Sequence, residues 1–201
     1  RQVYMLNRVK SSNEYIYLNL DKIHEAIQNK KQISFSYFDY GLDKKRNYRE
    51  GKRVASPLSL VWDNERYYLV AYYEKHSENL TNFRIDKMEN IEILQEEVNL
   101  NMEGFSLSEY INSSFGMFSC KTKCVKLRFE NSLLNVVIDK FGLNSKIIKD
   151  DDNHFFGYLK VKVGEPFFGW IFQFGNKVNI CEPEELKKEY KNRLQNIINE
   201  I

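Results

Sequence analysis

The run R-Y-Y-L-V-A-Y-Y over residues 66–73 constrains this chain more than any other stretch. In an extended strand Tyr67, Leu69 and Ala71 point to one side and Tyr68, Val70 and Tyr72 to the other, so neither face is polar. A strand of that kind needs cover on both sides, as in a small barrel with something docked against it. Two more strand-length apolar runs flank it, residues 54–62 and 80–85, and Asp63-Asn64 reads as a tight turn into an antiparallel hairpin. In the third run Phe83 and Ile85 form the apolar side, while Asn82, Arg84 and Asp86 share the other.

The stretch 53–88 carries three linked lines: R-V-A-S-P-L-S-L, then Y-Y-L, then F-R-I-D-K-M. Together they resemble the WYL domain, with Tyr67 in place of the namesake Trp and Lys87 in place of the last Arg; an ammonium lacks the bidentate fork of a guanidinium. The resemblance implies a small Sm-like β-barrel that senses a ligand through a basic pocket on this strand. In that family a winged helix-turn-helix that binds DNA usually lies upstream, so residues 1–18 are expected to connect to such a part.

Around the motif, Asn19 is a plausible N-cap for a short helix with Leu20, Ile23 and Ile27 on one face, expected to cover a barrel end. Residues 33–38 alternate as a first strand and residues 89–94 supply the last of about five. Residues 39–51 read as a polar, basic loop. Over 30–53 eight basic residues (Lys30, Lys31, Lys44, Lys45, Arg46, Arg49, Lys52, Arg53) face three acidic ones (Asp39, Asp43, Glu50), a local net charge of +5 in a chain of net +2.

The second half has its own rhythm. Ser106 and Glu109 have capping-box spacing ahead of Leu107, Tyr110 and Ile111, with Gly116 as a stop, which predicts a linking helix within residues 96–119. Residues 125–129 alternate as a strand; Leu134, Val137, Ile138 and Phe141 mark a helix closed by Gly142; residues 145–149 and 155–163 form a hairpin. Pro166 opens a helix with Phe167, Trp170, Ile171 and Phe174 on one stripe, residues 178–181 form a final strand, and Pro183 opens a last helix. The order βαββαβ with a trailing helix predicts a ferredoxin-like sandwich over residues 120–201. This half also resembles the C-terminal extension that accompanies WYL domains, including F-x-G-W-I-x-x-F-G-x-x-V from Phe167 to Val178. The expected architecture is therefore α+β: a WYL barrel over 19–95, then a ferredoxin-like α/β sandwich.

Catalytic signals are few. His24, His76 and His154 have no Ser or Cys nucleophile at a recognisable elbow beside them, the three cysteines (Cys120, Cys124, Cys181) lack zinc spacing, and no phosphate-cradling glycine loop is present. The chain is expected to be no enzyme and to hold no metal or cofactor, with the cysteines as buried or idle thiols. No signal peptide or membrane-length apolar run is present, which predicts a cytoplasmic protein.

Binding signals are richer. Arg84 and Lys87 fall close together, with Tyr37, Tyr68 and Tyr72 nearby, Asn82 on the Arg84 face and Arg53 at a strand start. Cations offer charge-assisted bonds to phosphate and aromatic rings offer stacking to bases. These seven residues are the candidate site for a nucleotide or single-stranded nucleic acid. The competing reading pairs Arg84 with Asp86 or Glu65 and puts the tyrosines in the core. With the resemblance, the chain reads as the ligand-sensing and dimerisation portion of a bacterial-type transcription regulator that meets duplex DNA only through an upstream helix-turn-helix. An accessory module that binds RNA or a nuclease partner is the alternative. Phe168 and Phe172, on the far side of the Trp170 stripe, predict a homodimer contact or cover by another helix of the same chain.

Overall fold

The computed structural model describes residues 15–75, 80–98, 106–115, 117 and 122–201. The chain divides into two compact units, Arg1–Glu103 and Gly104–Ile201.

In the first unit, helix α1 (Ile16–Gln28) precedes strands β1 (Lys31–Tyr40), β2 (Arg46–Tyr48), β3 (Arg53–Asp63), β4 (Arg66–Tyr72), β5 (Leu80–Arg84) and β6 (Met88–Glu97). The sheet order is β2-β1-β3-β4-β5, with β6 on the other edge of β1. The result is a curled antiparallel half-barrel. β3 serves two neighbours: residues 53–55 pair with β1 and residues 56–63 with β4, with a register shift between Pro57 and Ser59. A bulge beside a residue that cannot donate a hydrogen bond bends the strand and lets the sheet curl. At the β3–β4 turn Asn64 and Glu65 both have positive φ, as a two-residue turn matched to strand twist requires.

Between β5 and β6 the chain makes a 3-10 turn, Ile85–Lys87. Side chains span the opening there: Phe83 packs edge-on against Tyr37 at 5.6 Å and Phe35 at 5.0 Å. Ile23 and Ala26 of α1 enter the same core, with Ile33, Leu69, Ala71 and Met88.

Two expectations need correction. Asn19 is not the N-cap: α1 starts at Ile16, and Asn19 is buried inside the helix, its Nδ2 donating to the Met88 carbonyl at 2.9 Å. A tertiary partner satisfies the amide that a cap would otherwise occupy. The segment 39–51 is not all loop, because β2 extends β1 through Phe38↔Tyr48 and Tyr40↔Arg46, making six strands instead of about five.

In the second unit, α2 (Leu107–Asn112) is followed by β7 (Thr122–Glu130), α3 (Leu134–Phe141), β8 (Lys146–Lys149), β9 (His154–Lys162), α4 (Glu165–Phe172), β10 (Val178–Glu182) and α5 (Glu184–Glu200). Ser106 caps α2, its Oγ accepting from the Glu109 amide at 3.3 Å, the N-cap half of the expected capping box; the Gly116 stop lies outside the described residues. The antiparallel order β10-β7-β9-β8 is that of a ferredoxin-like sheet. Leu127, Phe129, Leu159 and Val161 turn one face toward Val137 of α3 and Phe167 and Ile171 of α4. Gly157 fits a tight place in mid-strand: a Cβ there would meet the Phe129 ring at 3.1 Å, so the ring would have to give by a few tenths of an ångström. Gly142 ends α3 at φ 85°, a conformation that glycine adopts without strain. On α3, Leu134 is exposed; Leu133 from the preceding 3-10 turn takes the buried place instead.

Phe168 is buried within its own chain. Its ring stacks on Tyr190 of α5 at 5.8 Å, and the Arg193 guanidinium lies 4.4 Å over it. Phe172 stays 55% exposed. Of the two covers expected for this pair, the last helix supplies the one for Phe168.

Candidate functional site

The seven candidate residues fall into two groups. Antiparallel pairing sets Tyr68 opposite Arg84, Val70 opposite Asn82 and Tyr72 opposite Leu80, so these share the outer face of the β4–β5 ladder. Tyr37 lies on the core side with Phe83, and its Oη reaches the edge to accept from the Arg84 amide at 3.2 Å. Burial raises the pKa of both the Tyr37 and Tyr68 hydroxyls. Tyr72 lines a cleft of about 210 Å3 with Ser56, Lys75 and Tyr73, the last of which also borders Arg53.

Arg84 grips Asp86 with its fork, Nε to Oδ1 at 3.0 Å and Nη2 to Oδ2 at 2.7 Å, and Arg66 adds Nη1 to Oδ2 at 3.2 Å. Burial pushes the Asp86 carboxyl up, but the hydrogen bonds from Arg84 and the charges of Arg84, Arg66 and Lys87 outweigh it and hold the group below its ordinary value. The same bonds raise Arg84. Lys87 Nζ donates to Asp39 Oδ1 at 2.8 Å, and Arg49 Nε to Asp39 Oδ2 at 2.6 Å. Those two hydrogen bonds lower the Asp39 pKa.

Arg53 differs. Its guanidinium lies 5.7 Å from the Tyr37 ring centre and 5.8 Å from that of Tyr73, and it has no carboxylate partner among the described residues. Arg49 lies over the same Tyr37 ring at 5.4 Å. Each carboxylate thus carries two cations, and Arg53 adds one more: Arg49, Arg53, Arg66, Arg84 and Lys87 stand against Asp39 and Asp86. The site is a tyrosine-centred patch with a positive excess, suited to an anion that also offers a flat ring.

Elsewhere the basic segment is neutralised in part. Glu89 of β6 binds Arg46 and Tyr48, and Glu92 binds Lys52. Sequence reading missed Asp39, Arg49, Arg66 and Tyr73 as members of the site; the adjacency of Tyr73 to Tyr72 was the signal available for the last.

The family profile of the WYL domain matches residues 19–93, and that of the WCX domain matches residues 124–198. The chain is a WYL domain followed by a WCX domain. No match is found among curated proteins. Among solved structures, proteasome accessory factor B/C (PafBC) of Arthrobacter aurescens is similar at 18% identity with a TM-score of 0.39; the match covers 91% of this chain and 27% of that one. The chain therefore spans about a quarter of the length of that protein. The cation cluster belongs to the WYL domain, on the F-R-I-D-K line and the strands that face it.

Among the described residues no group of three or more His, Cys, Asp or Glu is placed to hold a metal, and no described helix is long and apolar enough to cross a membrane. His24 contacts Gln28 and His154 contacts Asp151, while His76 and Cys120 lie outside the described residues. Cys124 is exposed and Cys181 half-buried, both free thiols, so burial does not account for Cys124.

Proposed function

We propose that the chain is the regulatory portion of a cytoplasmic transcription regulator whose WYL domain binds a nucleotide or single-stranded nucleic acid. The observation that carries the reading is Arg53, a guanidinium between Tyr37 and Tyr73 with no carboxylate partner among the described residues. It can take a phosphate without first giving up an ion pair, and a base can lie against the adjoining rings. Arg49, Arg84 and Lys87 set the potential around it while each stays paired. Arg84 and Lys87 thus serve as second contacts, Asn82 and Tyr68 as the flank beyond them. In this reading duplex DNA is met by another part of the protein, a second copy of the chain completes a dimer, and ligand binding shifts the dimer's affinity for DNA by a reciprocal coupling.

The test is titration of a labelled short single-stranded DNA by fluorescence anisotropy at two salt concentrations. Arg53→Ala weakens binding by about 1.5–3 kcal/mol, the size of a charge-assisted contact, and makes the salt dependence shallower. An affinity and a salt slope equal to those of the unsubstituted chain refute the assignment.

A further inference from the structure

The sheet of the WCX domain has a second face, opposite its helices, and this face is not polar. Pairing sets Phe156 opposite Arg128 and Ile148, and Tyr158 opposite Lys126 and Lys146. Tyr158 is 37% exposed and Ile148 44%. An antiparallel sheet that faces water on one side ordinarily carries polar residues there. Two aromatic rings and an isoleucine side by side are therefore a surface in want of an occupant.

The cations on the face identify its chemistry. Lys126 Nζ lies 4.3 Å from the Phe156 ring centre and 5.6 Å from that of Tyr158, and Lys146 Nζ lies 4.9 Å over Tyr158. Lys146 has no carboxylate partner among the described residues. Among the described residues the carboxylate partner of Lys126 is Glu182 at 3.6 Å and that of Lys160 is Glu109 at 3.5 Å. Arg128 is spent on Asp150 and Asp151, both at 2.6 Å, so positive charge gathers at the Tyr158 end, away from that acidic turn. From there the surface continues into a groove of about 570 Å3, bordered by Asn112, Leu143, Lys146, Tyr158 and Lys160.

We propose that this face binds single-stranded nucleic acid, with bases on Phe156 and Tyr158 and the backbone along Lys126, Lys146 and Lys160. Alternate residues of one strand are about 7 Å apart, so two rings on β9 receive two successive unstacked bases. The lysines that shield the rings in the free protein swing to the phosphates once bases replace them over the rings. A second copy of the chain is the other occupant that a half-apolar sheet face would admit. It is disfavoured because apposed copies would bring together two faces that each carry Lys126, Lys146 and Lys160, a like-charge juxtaposition. This surface is independent of the Arg53 site, which lies in the WYL domain.

The experiment uses the full chain and a short fluorescein-labelled oligothymidylate, titrated by anisotropy and crosslinked by ultraviolet light with mass mapping of the adducts. Adducts on β9 are expected, and in an Arg53→Ala background, where the other site is weakened, Tyr158→Ala and Lys146→Glu each weaken binding about tenfold with unchanged circular dichroism. Adducts confined to the WYL domain, or both variants binding as Arg53→Ala alone does, overturn the proposal and leave the Arg53 reading standing. Adducts on β9 with no effect of Arg53→Ala do the reverse. If the oligonucleotide leaves no adduct on β9 and Tyr158→Ala instead dissociates a dimer in sedimentation, the face belongs to a second copy and the proposal falls.

Discussion

Replacing Asp86 by asparagine tests whether the F-R-I-D-K segment is framework before it is site. The carboxylate is 8% exposed and accepts three hydrogen bonds, two from Arg84 and one from Arg66. Asparagine keeps the volume, removes the charge and turns one acceptor into a donor that faces a guanidinium. A hydrogen bond to a charged group contributes about 1.5–3 kcal/mol, and breaking a fully buried ion pair costs about 3–5 kcal/mol. Arg84 and Arg66 keep 30% and 42% of their side chains exposed, so solvent screening favours the lower range. The expected loss is about 2 kcal/mol, which in a unit of this size lowers the melting temperature by about 8–15 °C.

The loss has a pH signature. The folded pKa of Asp86 lies below its ordinary value, so its contribution is complete above roughly pH 4 and disappears as pH falls through the folded pKa. The gap between the two proteins is therefore constant from mildly acidic to neutral pH and closes in strong acid. Circular-dichroism melts across that range measure it, and hydrogen exchange on β4 and β5 peptides assigns the transition to the WYL domain. Equal melting at neutral pH, or a gap that persists in acid, refutes the reasoning.

In the WCX domain, Phe168→Glu puts a carboxylate between Phe167 and Tyr190 and destabilises the domain by about 3–5 kcal/mol, whereas exposed Phe172→Glu costs under about 0.5 kcal/mol. Chemical denaturation with sedimentation checks both; a folded Phe168→Glu monomer derived from a native dimer would put Phe168 at an interface between copies. The chain alone shows only weak, salt-sensitive affinity for duplex DNA: the described helix that gathers Arg, Asn and Gln, α5, has Arg193 paired with Glu165 and Glu189 and Gln195 bonded to Asn199, so these side chains are not free to read base edges in a major groove. Operator-specific retardation that survives competitor DNA in a gel-shift assay would overturn this.

What could be read in advance was whatever one strand or helix decides by itself. The two-sided apolar run at β4 demands cover whatever its neighbours are, and the alternation in β7 and β9 sorts their faces without reference to partners. The order of elements in the WCX domain then leaves few sheet topologies open. Asn19 was misread because its hydrogen-bond partner, the Met88 carbonyl, lies 69 residues away. A polar residue ahead of an apolar stripe looks the same whether it caps a helix or crosses to another element. Similarly, nothing local marks R-N-Y as a strand; it becomes β2 because β1 runs on past its β3 pairing and offers an unpaired edge.

The same distinction separates the cations of the site. Arg84 and Asp86 are two residues apart, and their pairing was one of the readings open from the sequence. Lys87 and Asp39 are 48 residues apart, and only the barrel brings them together. Once they meet, each carboxylate is shared by two cations, and an arriving phosphate need not strip any cation of its partner. Shared pairs keep the cluster assembled in the absence of ligand while leaving its charge uncancelled, which a one-to-one set of ion pairs would not do. The residue with most to offer a ligand is then the one the motif does not need for its framework. Arg53 sits at the start of β3, where the Pro57 bulge downstream lets the strand cross from β1 to β4, and its rings come from β1 and the end of β4. Its place depends on the curl of the whole sheet, so the proposed binding site predicts a coupling of binding to folding: a ligand that engaged Arg53 together with Tyr37 and Tyr73 would tie β1, β3 and the residue after β4 at the point where the half-barrel turns.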